Sequence, residues 1–102
     1  MSIKKQVLKS KPVCKVTFRL QKEMANEAEK ITLVGDFNDW DTAALEMKKL
    51  KSGEFTSLLE LETGKSYEFR YLADGQDWIN DSEADGYVMN SYGAENCVVE
   101  AV

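Results

Sequence analysis

Tyr67-Glu68-Phe69-Arg70-Tyr71-Leu72-Ala73-Asp74-Gly75 sets an aromatic ring at every second position and then runs into a turn pair. A period of two places Tyr67, Phe69 and Tyr71 on one face of a strand, with Glu68 and Arg70 on the other. Three rings on one face mark the side turned to a core. Asp74-Gly75 ends the strand, because this pair readily takes the backbone angles of a tight β-turn. The stretch therefore reads as a long, half-buried β-strand.

The same period recurs on either side. Cys14, Val16, Phe18 and Leu20 alternate with Lys15, Thr17 and Arg19. Residues 31–34 form a second apolar run, stopped by Gly35. Phe55, Leu59 and Leu61 alternate with Thr56 and Glu60 after the turn at residues 51–54. Residues 96–102 close the chain as a strand with Cys97, Val99 and Ala101 on one face and Val98 and Glu100 on the other. Residues 45–50 add a further short strand. Turn signals arrive about every ten residues, the rhythm of a β-sandwich. Residues 21–30 are polar and Glu-rich without an apolar stripe, and read as a long hairpin connection holding one helical turn.

The 102 residues suffice for one domain. Residues 1–12 are expected to be a solvated, flexible N-terminal arm and residues 13–102 the sandwich. The formal net charge is −5, and the lysines at 4, 5, 9 and 11 do not make a clustered basic face. Nucleic acid is excluded as a partner, since phosphate-backbone binding needs such a cluster. No apolar run approaches the roughly 20 residues that span a bilayer, so no membrane partner is expected. The first residues lack the apolar stretch of a signal peptide, and a cytoplasmic location follows as the expectation. Cys14 and Cys97 then read as small buried hydrophobes, with their mutual distance left open.

Catalytic chemistry finds little footing. Histidine is absent, which removes the commonest general base and the Ser-His and Cys-His pairs. The glycines are isolated at turns and form no phosphate-binding loop. Asp74, Asp77, Asp81, Glu83 and Asp85 crowd one stretch, but their spacing departs from a twelve-residue calcium loop. Solvated acidic turns are the simpler reading. The residues point to a binding or interaction module, with no catalytic residue, metal or cofactor.

Two tryptophans stand in polar, turn-like surroundings. Trp40 closes Val34-Gly35-Asp36-Phe37-Asn38-Asp39-Trp40, and Trp78 precedes Ile79-Asn80-Asp81. Indoles usually bury themselves, and a lone one could cap the end of a small β core. A pair flanked by Asp, Asn and Gly instead suggests flat platforms at a surface. Sugar rings suit such platforms, stacking C–H groups on the ring while their hydroxyls find Asn, Asp and Arg. Phe37 is assigned to the core, as the apolar anchor of its turn.

Four segments occur in an order that resembles family-48 carbohydrate-binding modules: Leu33 through Trp40, Tyr67 through Gly75, Trp78 through Asp81, and Asn90 through Val99. These are early-set, immunoglobulin-like domains found ahead of the catalytic barrels of isoamylases, pullulanases and glycogen branching enzymes. The glycogen-binding domain of AMP-activated kinase β subunits is of the same type. The resemblance extends over about residues 13–102. It implies an all-β immunoglobulin-like sandwich that binds α-1,4-linked glucan at one edge. It also implies a site made by Trp40, Trp78, Arg70 and Asn96. Arg70 stands where a lysine is usual, Tyr92 where a leucine reaches to the glucan, and Ala94 where a threonine offers a hydroxyl. Asp77 lengthens the turn before Trp78.

Two functions follow as expectations. The first is a stand-alone, non-catalytic module for glycogen- or starch-type glucan, acting as an adaptor for a glycan-active enzyme in trans. The second is a protein-interaction or structural domain without useful sugar affinity, pairing through an exposed sheet edge as a homodimer. Exposure of both indoles on one face beside Arg70 would separate the two.

Overall fold

The computed structural model describes residues 3–8, 10–25 and 27–101. Among these residues nine strands follow one another: β1 (Ile3–Val7), β2 (Val13–Leu20), β3 (Ile31–Gly35), β4 (Lys48–Lys49), β5 (Phe55–Glu62), β6 (Lys65–Ala73), β7 (Asp77–Ile79), β8 (Gly86–Met89) and β9 (Glu95–Ala101). One sheet has the order β1-β2-β5-β4, the other β3-β6-β9-β8, and β7 joins the second sheet alongside β6. All pairings between these strands are antiparallel. The fold is an all-β sandwich.

The alternating residues meet between the sheets. Cys14, Val16, Phe18 and Leu20 from β2 face Leu33, Phe69, Tyr71, Cys97 and Val99 from the second sheet, all buried. Phe18 and Phe69 lie edge to face with centroids 5.1 Å apart, and Phe69 and Tyr71 repeat the geometry at 5.6 Å. Each such ring contributes about 1.5–3 kcal/mol by burial, and the edge-to-face pairing adds about 1 kcal/mol. Phe37 joins this cluster from the turn after β3, 5.9 Å from Phe18. Tyr67 is only half-buried at its margin.

Two sequence expectations are corrected. The lead-in at residues 1–12 supplies β1, which pairs with β2 from Ile3 opposite Phe18 to Val7 opposite Cys14. Ile3 is buried, and Lys5 Nζ reaches Asp85 between β7 and β8. Residues 1, 2 and 9 of that lead-in lie outside the described residues. The connection at residues 21–30 is no hairpin, because β2 and β3 belong to different sheets. It is a crossover, and its Ala25 and Ala28 are buried under it. Small side chains let the polar segment lie close to the core. Asp74 pins its far end, accepting the Glu29 and Lys30 backbone N–H groups at Oδ1, each at 3.0 Å.

The 45–50 segment is shorter as a strand than expected. Glu46 bridges to Thr32 of β3, and two residues later Lys48 and Lys49 pair with β5. The chain thus passes from the edge of one sheet to the edge of the other. Leu33 N–H donates to Leu45 O at 2.8 Å and Met47 N–H to Ile31 O at 2.7 Å. These bonds hold the loop at residues 36–44 against β3, where it carries Trp40. No helix among the described residues is long and apolar enough to cross a membrane.

Candidate functional site

The outward face of the second sheet gathers the polar partners of the core strands. Arg70 follows Phe69 on β6 and so turns away from the core. Trp78 on β7 pairs with Leu72 on the same face of the ladder. Asn96 precedes the buried Cys97 on β9 and points outward by the same alternation.

Trp40 reaches this face from the loop after β3. The turn Asp36–Asn38 is one turn of 3-10 helix, and Asp39 and Trp40 then adopt left-handed backbone angles, φ 55° and 58°. Left-handed geometry is costly for a tryptophan, so the surrounding bonds must fix it. Trp40 N–H donates to Gly35 O at 2.9 Å. Asn38 accepts Gly35 N–H at Oδ1 and donates Nδ2–H to Leu33 O. The indole Nε1–H donates to Asp36 Oδ1 at 2.9 Å. Gly35 itself is extended; its lack of a side chain is a matter of room, since a Cβ there would lie 2.5 Å from Glu68 O.

Trp78 is 42% exposed. The Arg70 guanidinium lies over its ring, 5.4 Å from the centroid. Arg70 Nε–H donates to Asn80 Oδ1 at 2.7 Å, and Asn80 Nδ2–H donates to Glu95 O at 2.9 Å. The guanidinium is thereby aimed while its terminal N–H groups remain available as donors.

Asn96 is buried, and its amide is held on both sides. Nδ2–H donates to Glu68 Oε1 at 3.0 Å, and Oδ1 accepts Asn90 Nδ2–H at 3.1 Å. Asn90 Oδ1 in turn accepts the Tyr92 and Ala94 backbone N–H groups. This local cap presents Tyr92, 93% exposed, at the tip of the β8–β9 hairpin.

Trp40, Arg70, Trp78, Tyr92 and Asn96 line a single open depression of about 750 Å³, together with Thr42, Asn90, Ser91 and Ala94. Neither indole is buried. The five residues singled out from the sequence come together here from three strands and two loops. Asn90, Ser91 and Thr42 were not singled out. Asn90 and Ser91 stood within a quoted motif, whereas nothing in the sequence around Thr42 marks it.

Residues 10–92 match carbohydrate-binding module 48, the isoamylase N-terminal domain. The chain belongs to this family. It is thus a carbohydrate-binding module rather than a catalytic domain. No curated protein matches the chain.

Three of the acidic residues between β6 and β8, Asp74, Asp81 and Asp85, go to separate structural tasks. Asp74 holds the crossover, and Asp85 accepts Lys5 Nζ–H and Glu100 N–H. Asp81 is 1% exposed. It accepts Tyr71 Oη–H at 2.8 Å and Glu83 N–H at 2.8 Å, while its own N–H donates to Cys97 Sγ at 3.1 Å. Burial, then the adjacent Asp81 carboxylate, pushes the Tyr71 hydroxyl well above its usual range. Burial likewise pushes the Cys97 thiol up to about 11. Both cysteines are free and buried.

Proposed function

We propose that the module binds α-1,4-linked glucan of the glycogen or starch type in the depression between Trp40 and Trp78. The observation that carries this reading is the meeting of two accessible indoles, a guanidinium and an amide in one open concavity. Each indole losing roughly 100 Å² of apolar surface to a sugar gains about 2–3 kcal/mol at about 25 cal/mol per Å². Ordering a flexible oligosaccharide offsets much of that gain. The resulting dissociation constant falls on the order of micromolar to millimolar, which suits localisation rather than capture. Arg70 and Asn96 orient the chain by hydrogen bonds to hydroxyls, and Tyr92 adds a third apolar surface. The module then acts as an adaptor, delivering glucan to a glycan-active enzyme in trans in the cytoplasm.

Tryptophan fluorescence titrated with maltoheptaose and β-cyclodextrin tests the reading, with cellohexaose as control. A saturable change with the α-linked sugars alone, lost in folded Trp40→Ala and Trp78→Ala variants, supports it. No response up to about 10 mM, beyond the weak end of that range, overturns it.

One observation favours a second reading, a protein-interaction domain that pairs with its own copy. Strand β8 is an edge strand that exposes Tyr87, Val88 and Met89, and residues 86–94 carry no charged side chain. Edge strands are usually blunted by charge or proline. Sedimentation equilibrium of the wild type beside Val88→Lys decides this reading. A dimer dissociated by the lysine supports it, and a monomer at about 100 µM, a concentration that would populate any dimer of micromolar Kd, ends it.

A further inference from the structure

The Trp40 indole carries one hydrogen-bond donor, and the structure commits it internally. Asp36 Oδ1 accepts the indole Nε1–H at 2.9 Å, while Asp36 Oδ2 accepts the Glu68 backbone N–H at 2.8 Å. One carboxylate thus ties the ring of a loop residue to the main chain of β6. Glu68 extends the link, because its own carboxylate accepts Asn96 Nδ2–H across the sheet. The two flanks of the depression are therefore joined through Asp36 and Glu68, neither of which lines it.

We propose that Asp36 is a positioning residue for carbohydrate binding, latching the Trp40 indole so that its ring face, and not its N–H, meets the sugar. This role rests on the glucan-binding function proposed above. The physical argument is one of rotamers. Trp40 is half-buried on a short loop, so its own packing restrains χ1 and χ2 only in part. Without the carboxylate, the indole spreads over several staggered wells, and apparent affinity falls by the inverse of the fraction in the productive one. A charge-assisted bond to a fixed strand prevents that spread. Asp36 also takes away the indole's polar edge. The platform then recognises sugar by C–H stacking, and hydrogen-bond selection falls to Arg70 and Asn96.

Asp36→Ala removes both bonds, whereas Trp40→Phe keeps a smaller stackable ring and removes the donor. Binding of maltoheptaose is measured for wild type, each single variant and the double variant. Asp36→Ala is expected to raise Kd about fivefold, the effect of sharing one rotamer among several. In the Trp40→Phe background the same substitution is expected to change Kd by less than twofold. A residue acting only on general stability would weaken both backgrounds alike, so equal losses overturn the proposal, as does an unchanged Kd in Asp36→Ala. Exchange of the Trp40 indole Nε1–H with water, followed by NMR, gives an independent reading. It is expected to be slow in the wild type and fast in Asp36→Ala. If the wild type binds no glucan, the glucan-binding role of Asp36 falls with the proposed function. The exchange rates then still show whether the latch exists, so the two failures are distinguishable.

Discussion

The Arg70 guanidinium lies 5.4 Å from the centroid of the Trp78 ring and is held there by Asn80 Oδ1 at 2.7 Å from Nε. The contact does two things at once. It orients the Trp78 ring on a three-residue strand, and it sets a cation over one face of that ring, at the depression where sugar hydroxyls would lie. Lysine reproduces only part of it, because an ammonium keeps the charge but has no plane to stack and no Nε–H for Asn80. Arg70→Lys is expected to weaken maltoheptaose binding about threefold, matching about 0.5–1 kcal/mol for the lost guanidinium stacking and the lost Nε–H bond to Asn80. Arg70→Ala also loses charged donors to sugar hydroxyls and is expected to weaken binding about tenfold or more. Isothermal titration of the three proteins checks the order.

Asp81 is the polar centre of the fold rather than part of the site. Buried at 1% exposure, it accepts from Tyr71 and Glu83 and donates its backbone N–H to Cys97. Tyr71→Phe leaves Asp81 Oδ2 without that donor and is expected to cost about 1–3 kcal/mol, the penalty of an unpaired buried acceptor. Asp81→Ala strands several partners and is expected to cost more, about 3 kcal/mol. Urea unfolding measures both. Tyr71→Phe is expected to bind maltoheptaose like the wild type, because the ring faces the core and not the depression.

Alkaline conditions should loosen the same region. Burial holds the Tyr71 hydroxyl well above its usual range, and burial raises the Cys97 thiol to about 11. Both shifts are upward in the folded state, so both groups prefer to stay neutral there. Their contribution is complete below the unfolded values, about 8.5 for a thiol and about 10 for a phenol. It is lost as pH rises, because the unfolded chain ionises first. The thermal midpoint is therefore expected to fall steadily from pH 9 toward pH 11. Native Cys97 is also expected to resist iodoacetamide at pH 8, a reaction that requires thiolate and access. Rapid labelling of the folded protein would contradict this.

Much of the fold was legible because a strand's period is local. Phe18, Phe69 and Tyr71 declare their faces within five residues of sequence, and the structure buries all three. Strand β1 was not legible: Lys5 takes the position between Ile3 and Val7 where an apolar alternation would need a hydrophobe, and the Lys5–Asp85 contact spans 80 residues. The crossover at residues 21–30 misled for a related reason. Nothing local says that Ala25 and Ala28 will sit against a core built by distant strands. At the site, the indoles stood out by residue type, whereas Arg70 and Asn96 were marked by the resemblance. Asp36 looked like one acid in a polar turn, because the second of its two partners is a backbone N–H 32 residues away.

Gly35 links the fold to the site, and its replacement separates room from backbone angle. At φ −176° any residue could take its conformation, but a Cβ would lie 2.5 Å from Glu68 O and 2.9 Å from both Phe37 Cζ and Phe69 Cβ. The first of these atoms is backbone and cannot swing aside. Gly35→Ala must therefore push β3 from β6, at a cost of about 1–3 kcal/mol. The same displacement draws Asp36 away from the Glu68 N–H and unlatches Trp40. Stability and maltoheptaose affinity are expected to fall together. Gly75 supplies the contrast, with φ 72° and nothing within 4 Å of a Cβ. Gly75→Ala is expected to cost about 1–2 kcal/mol through its left-handed angle alone, with affinity unchanged. Thermal melts paired with titrations of the two variants test the distinction. Loss of affinity in both, or in neither, would break the proposed link between the β3–β6 spacing and the Trp40 platform.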